Sequence, residues 1–171
     1  MDLLRRRLLS WWWDYVIVVA WLAAVFLLLG LPTILGWLDL SAIWSRPVSA
    51  DIAVTVLTVV PYVLYLVITE HGPAHATVGK RRCGLVVEAS DGTTADLRHI
   101  GTRNVVKVLP WQFGHMAALR FAGGTALGAA AVFNVLSLVL LALVAGPALA
   151  GRRGLHDRLA GTAVRPAPET P

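Results

Sequence analysis

The stretch YVIVVAWLAAVFLLLGLPTILGWL, Tyr15 to Leu38, contains no Asp, Glu, Lys or Arg. Two further stretches share that property, Ile52 to Thr69 and Phe121 to Gly151. Their lengths lie near the ~20 residues with which an α-helix crosses ~30 Å of hydrocarbon. A bilayer core offers no water to unpaired backbone groups, so only helices and closed barrels span it. The apolar runs are unbroken rather than alternating, which selects helices over barrel strands. The expected fold is an all-α membrane protein, with three to four transmembrane or membrane-dipping helices and a small cytoplasmic β-hairpin loop.

Upstream of Tyr15 stand Arg5-Arg6-Arg7, Trp11-Trp12-Trp13 and then Asp14. Trp prefers the headgroup level and Lys or Arg the cytoplasmic side, so the N-terminus is expected in the cytoplasm of a cell-membrane protein. The apolar run exceeds the h-region of a signal peptide (about 7–15 residues), and it reads as a retained first helix. Trp37 and Trp44 suit a second aromatic belt, and the loop from Gly36 to Pro47 carries little charge, so it faces outside. Pro61 lies inside the second run and predicts a kink near Val60. Glu70-His71-Gly72-Pro73 stops that helix.

Residues 70–107 carry Lys80, Arg81, Arg82, Arg98, Arg103 and Lys107 against Glu70, Glu88, Asp91 and Asp96. This basic loop is expected inside. Gly84 to Glu88 and Thr93 to Leu97 flank Asp91-Gly92, which reads as a hairpin. Residues 104–120 stay open between an interfacial helix, a re-entrant segment and a short fourth span. Phe121 to Gly151 reads as one tilted helix, with a Gly-x-x-x-Gly spacing at Gly124 and Gly128. A basic tail follows, and from Pro166 it is expected to be disordered. Charge favours a cytoplasmic tail, with 104–120 dipping into or crossing the bilayer.

The chain has 171 residues, of which 57% are hydrophobic, and a net charge of +5. In a membrane protein that basicity meets anionic headgroups, so the expected partner is the lipid bilayer and not nucleic acid. Cys83 is the only cysteine, which rules out an intrachain disulfide and the usual cysteine zinc sites. Gly79-Lys80 lacks the flanking residues of a phosphate-binding P-loop. His71 and His75 have metal-binding spacing, but Gly72-Pro73 breaks the helix that would give it meaning. No nucleophile elbow or paired-carboxylate pattern is present. No enzyme, cofactor or metal is expected.

Several segments together resemble the RDD family of bacterial membrane proteins. They are Ala76 to Val87 with Asp91-Gly92 and Arg103-Asn104, then Arg153 to Val164, and at the N-terminus Arg7 with Asp14. Pro110-Trp111 and His115 are similar to a variant of the family pattern. The resemblance implies one membrane domain over residues 1–165, with 166–171 as its tail. It also implies that the family's arginine and two aspartates are Arg7, Asp14 and Asp157, forming a polar cluster at the cytoplasmic mouth, and it carries a proposed transport role.

Two local readings stand beside that cluster. Asp14 suits the start of a helix near the headgroups. Asp157 suits local pairing with Arg153 or Arg158. His115 and His156 are candidates for proton handling, and Lys80, Arg81 and Arg82 for lipid headgroup contacts. The expected function is a transport component linked to a cation or proton, as a homo-oligomer because so few helices enclose little pore. The alternative is a non-transporting adaptor whose basic loop binds headgroups or a partner.

Overall fold

The computed structural model describes residues 2–168. Its first helix, α1 (Leu3–Ile34), begins well before Tyr15 and takes in the arginines and tryptophans. No Gly or Pro interrupts the chain from Leu3 to Leu29, so nothing stops the helix from extending back. Near its far end, Phe26–Gly30 widens into a π-turn just before Pro32. A single turn, α2 (Ser41–Trp44), leads to α3 (Pro47–His71).

Pro61 does not break α3. A π-turn over Thr55–Val59 precedes it, and the helix runs on. Pro61 has no amide to offer the Leu57 carbonyl; the Trp21 indole of α1 donates there instead, at 2.7 Å. Thr55 and Thr58 hydroxyls donate to the Asp51 and Val54 carbonyls around the same turn. In hydrocarbon such substitutes are what make an intramembrane proline tolerable.

The ambiguous segment is one continuous helix, α5 (Leu97–Ala122), introduced by the short α4 (Val78–Arg82) and the strand β1 (Leu85–Ala89). Its 26 residues give about 39 Å at 1.5 Å per residue. It runs antiparallel to α3. Arg103 and Asn104 meet Glu70 at one end, Gln112 meets Thr55 midway, and Arg120 forms a two-pronged pair with Asp51 at the other, at 2.9 and 2.7 Å.

Next, α6 (Leu127–Leu149) returns along α5, with Phe113 stacked on Phe133 and the Ser137 hydroxyl donating to the Pro110 carbonyl. The expected single helix from Phe121 to Gly151 is therefore corrected. Phe121 and Ala122 end α5, and a turn at Gly123 to Ala126, with Gly124 at φ +61°, reverses the chain. Gly124 and Gly128 both face open space, so no other helix of the chain packs on their spacing.

The chain ends with α7 (Leu155–Leu159) and β2 (Thr162–Pro166). β2 pairs antiparallel with β1, Val87 opposite Val164. The small antiparallel element is present, but its second strand is not 93–97. Asp96 caps α5 by accepting from the His99 amide, so Leu97 is already helical. The expected hairpin shrinks to a bridge between Glu88 and Thr94. The tail is ordered through β2 up to Pro166; the rest of the expected disorder, at 169–171, lies outside the described residues.

We call the end holding β1, β2 and α7 the sheet end. It contains a small apolar core of Val87, Ala95 and Ile100, with Val67 and Val164 against it. Away from that core the helices turn apolar side chains outward, among them Leu28, Ile34 and Ile68. In α1 the buried residues are polar, Ser10 and Asp14. That inversion suits hydrocarbon, where apolar side chains face the solvent and polar groups must find partners inside.

Candidate functional site

Asp14 sits well inside α1 and is buried, which sets aside its reading as a helix-start residue. It accepts from the Thr77 hydroxyl at 2.7 Å, the Gly79 amide at 2.9 Å and the Tyr65 hydroxyl at 2.9 Å. Thr77 is the N-cap of α4, its hydroxyl also accepting from the Lys80 amide. Gly79 is required for this docking. A Cβ there would run into the Ser10 carbonyl and lie 2.8 Å from Asp14 Oδ1.

Lys80, next to that glycine, points the other way, into the protein. Its Nζ lies 2.8 Å from Glu70, and both side chains are buried. The expected headgroup contact of Lys80 is thereby corrected. Burial pushes its ammonium below the usual value, against the pull of Glu70. Arg81 and Arg82 remain exposed, and Arg82 lies over the Trp13 ring at 4.1 Å.

Glu70 also accepts from Arg103 Nε at 3.2 Å and Asn104 Nδ2 at 2.9 Å. The other arm of Arg103 pairs with Asp157. The partner of Asp157 is thus Arg103 from α5; Arg153 reaches only its backbone carbonyl. Asp157 also accepts from the Thr162 hydroxyl, and His156 Nε2 stands 3.4 Å from its second oxygen. Burial opposes ionisation of Asp157, but the Arg103 charge, the Thr162 hydrogen bond and the other nearby cations together hold the carboxyl below its ordinary range. Burial, then the same guanidinium, push His156 down to about 3. His156 is therefore neutral at physiological pH, which corrects its expected role in proton handling there.

Both oxygens of Glu70 and of Asp14 accept hydrogen bonds, and Asp157 accepts two at Oδ1. Lys107 differs. It lies one turn along α5 from Arg103, and among the described residues its ammonium has neither an ion pair nor a hydrogen bond. It lines a cavity of about 170 Å³ together with Arg7, Asp14, Lys80, Arg103, His156 and Asp157. The three residues implied by the resemblance thus share one cavity. Arg7 pairs with neither aspartate; its Nη2 donates to the Val164 carbonyl of β2 at 3.0 Å, and its buried Nε has no partner among the described residues.

His115 lies away from this cluster, on a separate apolar groove of about 400 Å³ and 6.2 Å from the Trp111 ring. Sequence reasoning missed Glu70, Asn104, Arg103 and Lys107 as site residues. The available signal was their position, since ionisable side chains at or inside an apolar helix are costly and mark polar sites.

The helices α1, α3 and α6 are long and apolar enough to cross a membrane. The comparisons with curated proteins and with solved structures gave no match. The family model described as RDD family matches residues 3–161, from the start of α1 through α7, and takes in Arg7, Asp14 and Asp157. The chain is a membrane protein that belongs to the RDD family.

Proposed function

We propose that the protein is a transport component that takes up a charged solute in the cavity of Lys107, Arg7, Asp14 and Asp157. The observation that carries this reading is a cavity lined by charged side chains between helices whose outer faces are apolar. Charge is expensive at such a place unless it serves a ligand or holds the fold. On this reading α5 is a fourth membrane pass and the sheet end faces the cytoplasm of the cell membrane. Its length and its level ends support the fourth pass. The basic side chains Arg81, Arg82, Arg98 and Arg158 support the orientation. The cavity lies within one chain, so the site itself needs no second copy.

The charge balance favours an anion over the cation or proton expected from the sequence. All three carboxylates have partners, while among the described residues the Lys107 ammonium has none. The experiment is flux into vesicles reconstituted with purified protein, under a clamped voltage, with chloride and acetate as probes. Uptake above that of empty vesicles, lowered at least about tenfold in Lys107→Met, agrees with the reading; about tenfold is the loss expected for one charged contact. No flux of either anion, of sodium or of protons overturns it.

A second reading, a membrane adaptor, draws on the same saturation. A network with every carboxylate satisfied also works as a clamp that holds α1, α3, α5 and α7 together. It leaves Arg81 and Arg82 free for headgroups or a partner. Loss of folded yield in Asp157→Ala, with no flux in the wild type, selects this reading.

A further inference from the structure

The charged cavity borders a second, apolar one. Tyr15, Tyr62 and Trp111 line it and also line the apolar groove of about 400 Å³. The groove continues between α1 and α3, walled by Trp21, Leu64 and Ile68, and these three are 44%, 52% and 67% exposed, so it opens sideways. The hydroxyls of Tyr15 and Tyr62 make no hydrogen bond among the described residues.

The two spaces follow the depth profile of a leaflet. Arg7 and Trp11 on the charged cavity and Trp21 on the groove lie along one helix. From Arg7 to Trp21 is about 21 Å at 1.5 Å per residue. The Trp11 to Trp13 triplet marks the headgroup level. The charged cavity therefore sits at headgroup depth, and the groove at the depth of acyl chains.

The charges state what the head must carry. Arg7, Lys80, Arg103 and Lys107 face Glu70, Asp14 and Asp157, so one positive charge is left over. Among the described residues, Arg7 and Lys107 are the two cations with no carboxylate partner, and of these only Lys107 makes no hydrogen bond. An unpaired ammonium in a low-dielectric site is costly, and a single negative charge removes that cost.

We propose that the two cavities together bind one anionic phospholipid from the leaflet at the sheet end. Its singly charged phosphodiester lies at Lys107 and Arg7, within reach of the Tyr15 and Tyr62 hydroxyls, and one acyl chain lies in the groove. This rests on the reading of the cavity as an anion site and names the class of anion. An amphiphile is selected over a small solute because the charged space and an apolar one lie side by side, sharing the wall of Tyr15, Tyr62 and Trp111.

The full chain in a nonionic detergent is titrated with phosphatidylglycerol, phosphatidylcholine or inorganic phosphate. Thermal stability and lipid retained after gel filtration are the readouts. Phosphatidylglycerol is expected to raise the melting temperature saturably and to be retained at about one per chain, and phosphatidylcholine is not. Lys107→Met is expected to weaken the phosphatidylglycerol response about tenfold or more, the worth of one hydrogen bond to a charged group. Lys107→Arg is expected to keep it. Ile17→Trp, which fills the groove and leaves every charge in place, is expected to lose it, and this variant decides the matter if Lys107→Met does not fold.

Equal responses to the two lipids overturn the proposal. So does a full response in Ile17→Trp, or a response to inorganic phosphate as large as that to phosphatidylglycerol. Chloride or acetate flux with no lipid preference sinks the lipid site and leaves the transport reading. Lipid preference with no flux does the reverse.

Discussion

At the residue scale, the centre of the site is a buried chain of charges, Lys80, Glu70, Arg103 and Asp157, that satisfy one another across long stretches of sequence. Asp14 and Asp157 were legible from the sequence, because the family pattern marks them. Glu70, Arg103 and Asn104 were not, because their roles depend on who faces whom across separations of 33 to 54 residues. Lys80 misled for the same reason; within a basic cluster nothing local says which member turns inward.

His156 offers the cleanest test of this burial. Its folded value of about 3 lies below its ordinary 6.5, so the unfolded chain takes up the proton first. The stability it contributes is complete above about 6.5 and is lost as pH falls towards about 3. Asp157 is also depressed; its loss and that of Glu70, whose ordinary values are 3.8 and 4.5, lie mostly below about 4.5, and comparison with a variant lacking the histidine singles out its share between about 6.5 and 4.5. Across those two units the loss is on the order of 2 kcal/mol at 1.36 kcal/mol per unit. Thermal melts of the wild type in detergent are expected to fall across this window, and those of His156→Gln to lack most of that slope. Parallel curves would mean that His156 is not held neutral.

At the element scale, α1, α3 and α6 were legible because hydrocarbon imposes a length and forbids charge. α5 was not, since Arg103, Asn104 and Arg120 lie on its buried face while the residues turned outward include Val105 and Trp111. A pattern rule that counts charges sees a polar segment where the folded helix presents an apolar outside. The turn at Gly123 stayed hidden for a related reason, as this reversal uses Gly, Gly and Thr with no charge to punctuate the run. The contact of Trp21 with Leu57 belongs to this scale, because it joins two helices through a proline defect. Trp21→Phe leaves that carbonyl without its donor and is expected to cost about 1–3 kcal/mol. Pro61→Ala restores an amide at the position, so Trp21→Phe in that background is expected to cost clearly less. Additive costs in this double-mutant cycle, followed by thermal melts, would show that the indole is not answering the proline.

At the scale of the whole molecule, the chain closes on itself. β2 pairs with β1, Asp157 ties α7 to α5, and Arg7 of α1 reaches the Val164 carbonyl. The N-terminal helix, the central loop and the C-terminal segment thus meet at one end, as the proposed four passes require. A chain with three passes has to leave α5 on one side of the bilayer, yet Asp51 and Glu70, near opposite ends of α3, are both held by α5. The arrangement therefore predicts a labelling pattern. In a background with Cys83→Ser, single cysteines at Asp39 and Ser90, both exposed, are treated with an impermeant maleimide in intact cells. Asp39→Cys is expected to react at once and Ser90→Cys only after permeabilisation. A cysteine placed at exposed Arg165 is expected to follow Ser90, because the two are joined by a hydrogen bond from the Arg165 guanidinium to the Ser90 carbonyl. Labelling of position 165 together with position 39 would separate β2 from β1 by a membrane and dismantle the sheet end, and the charged cavity with it.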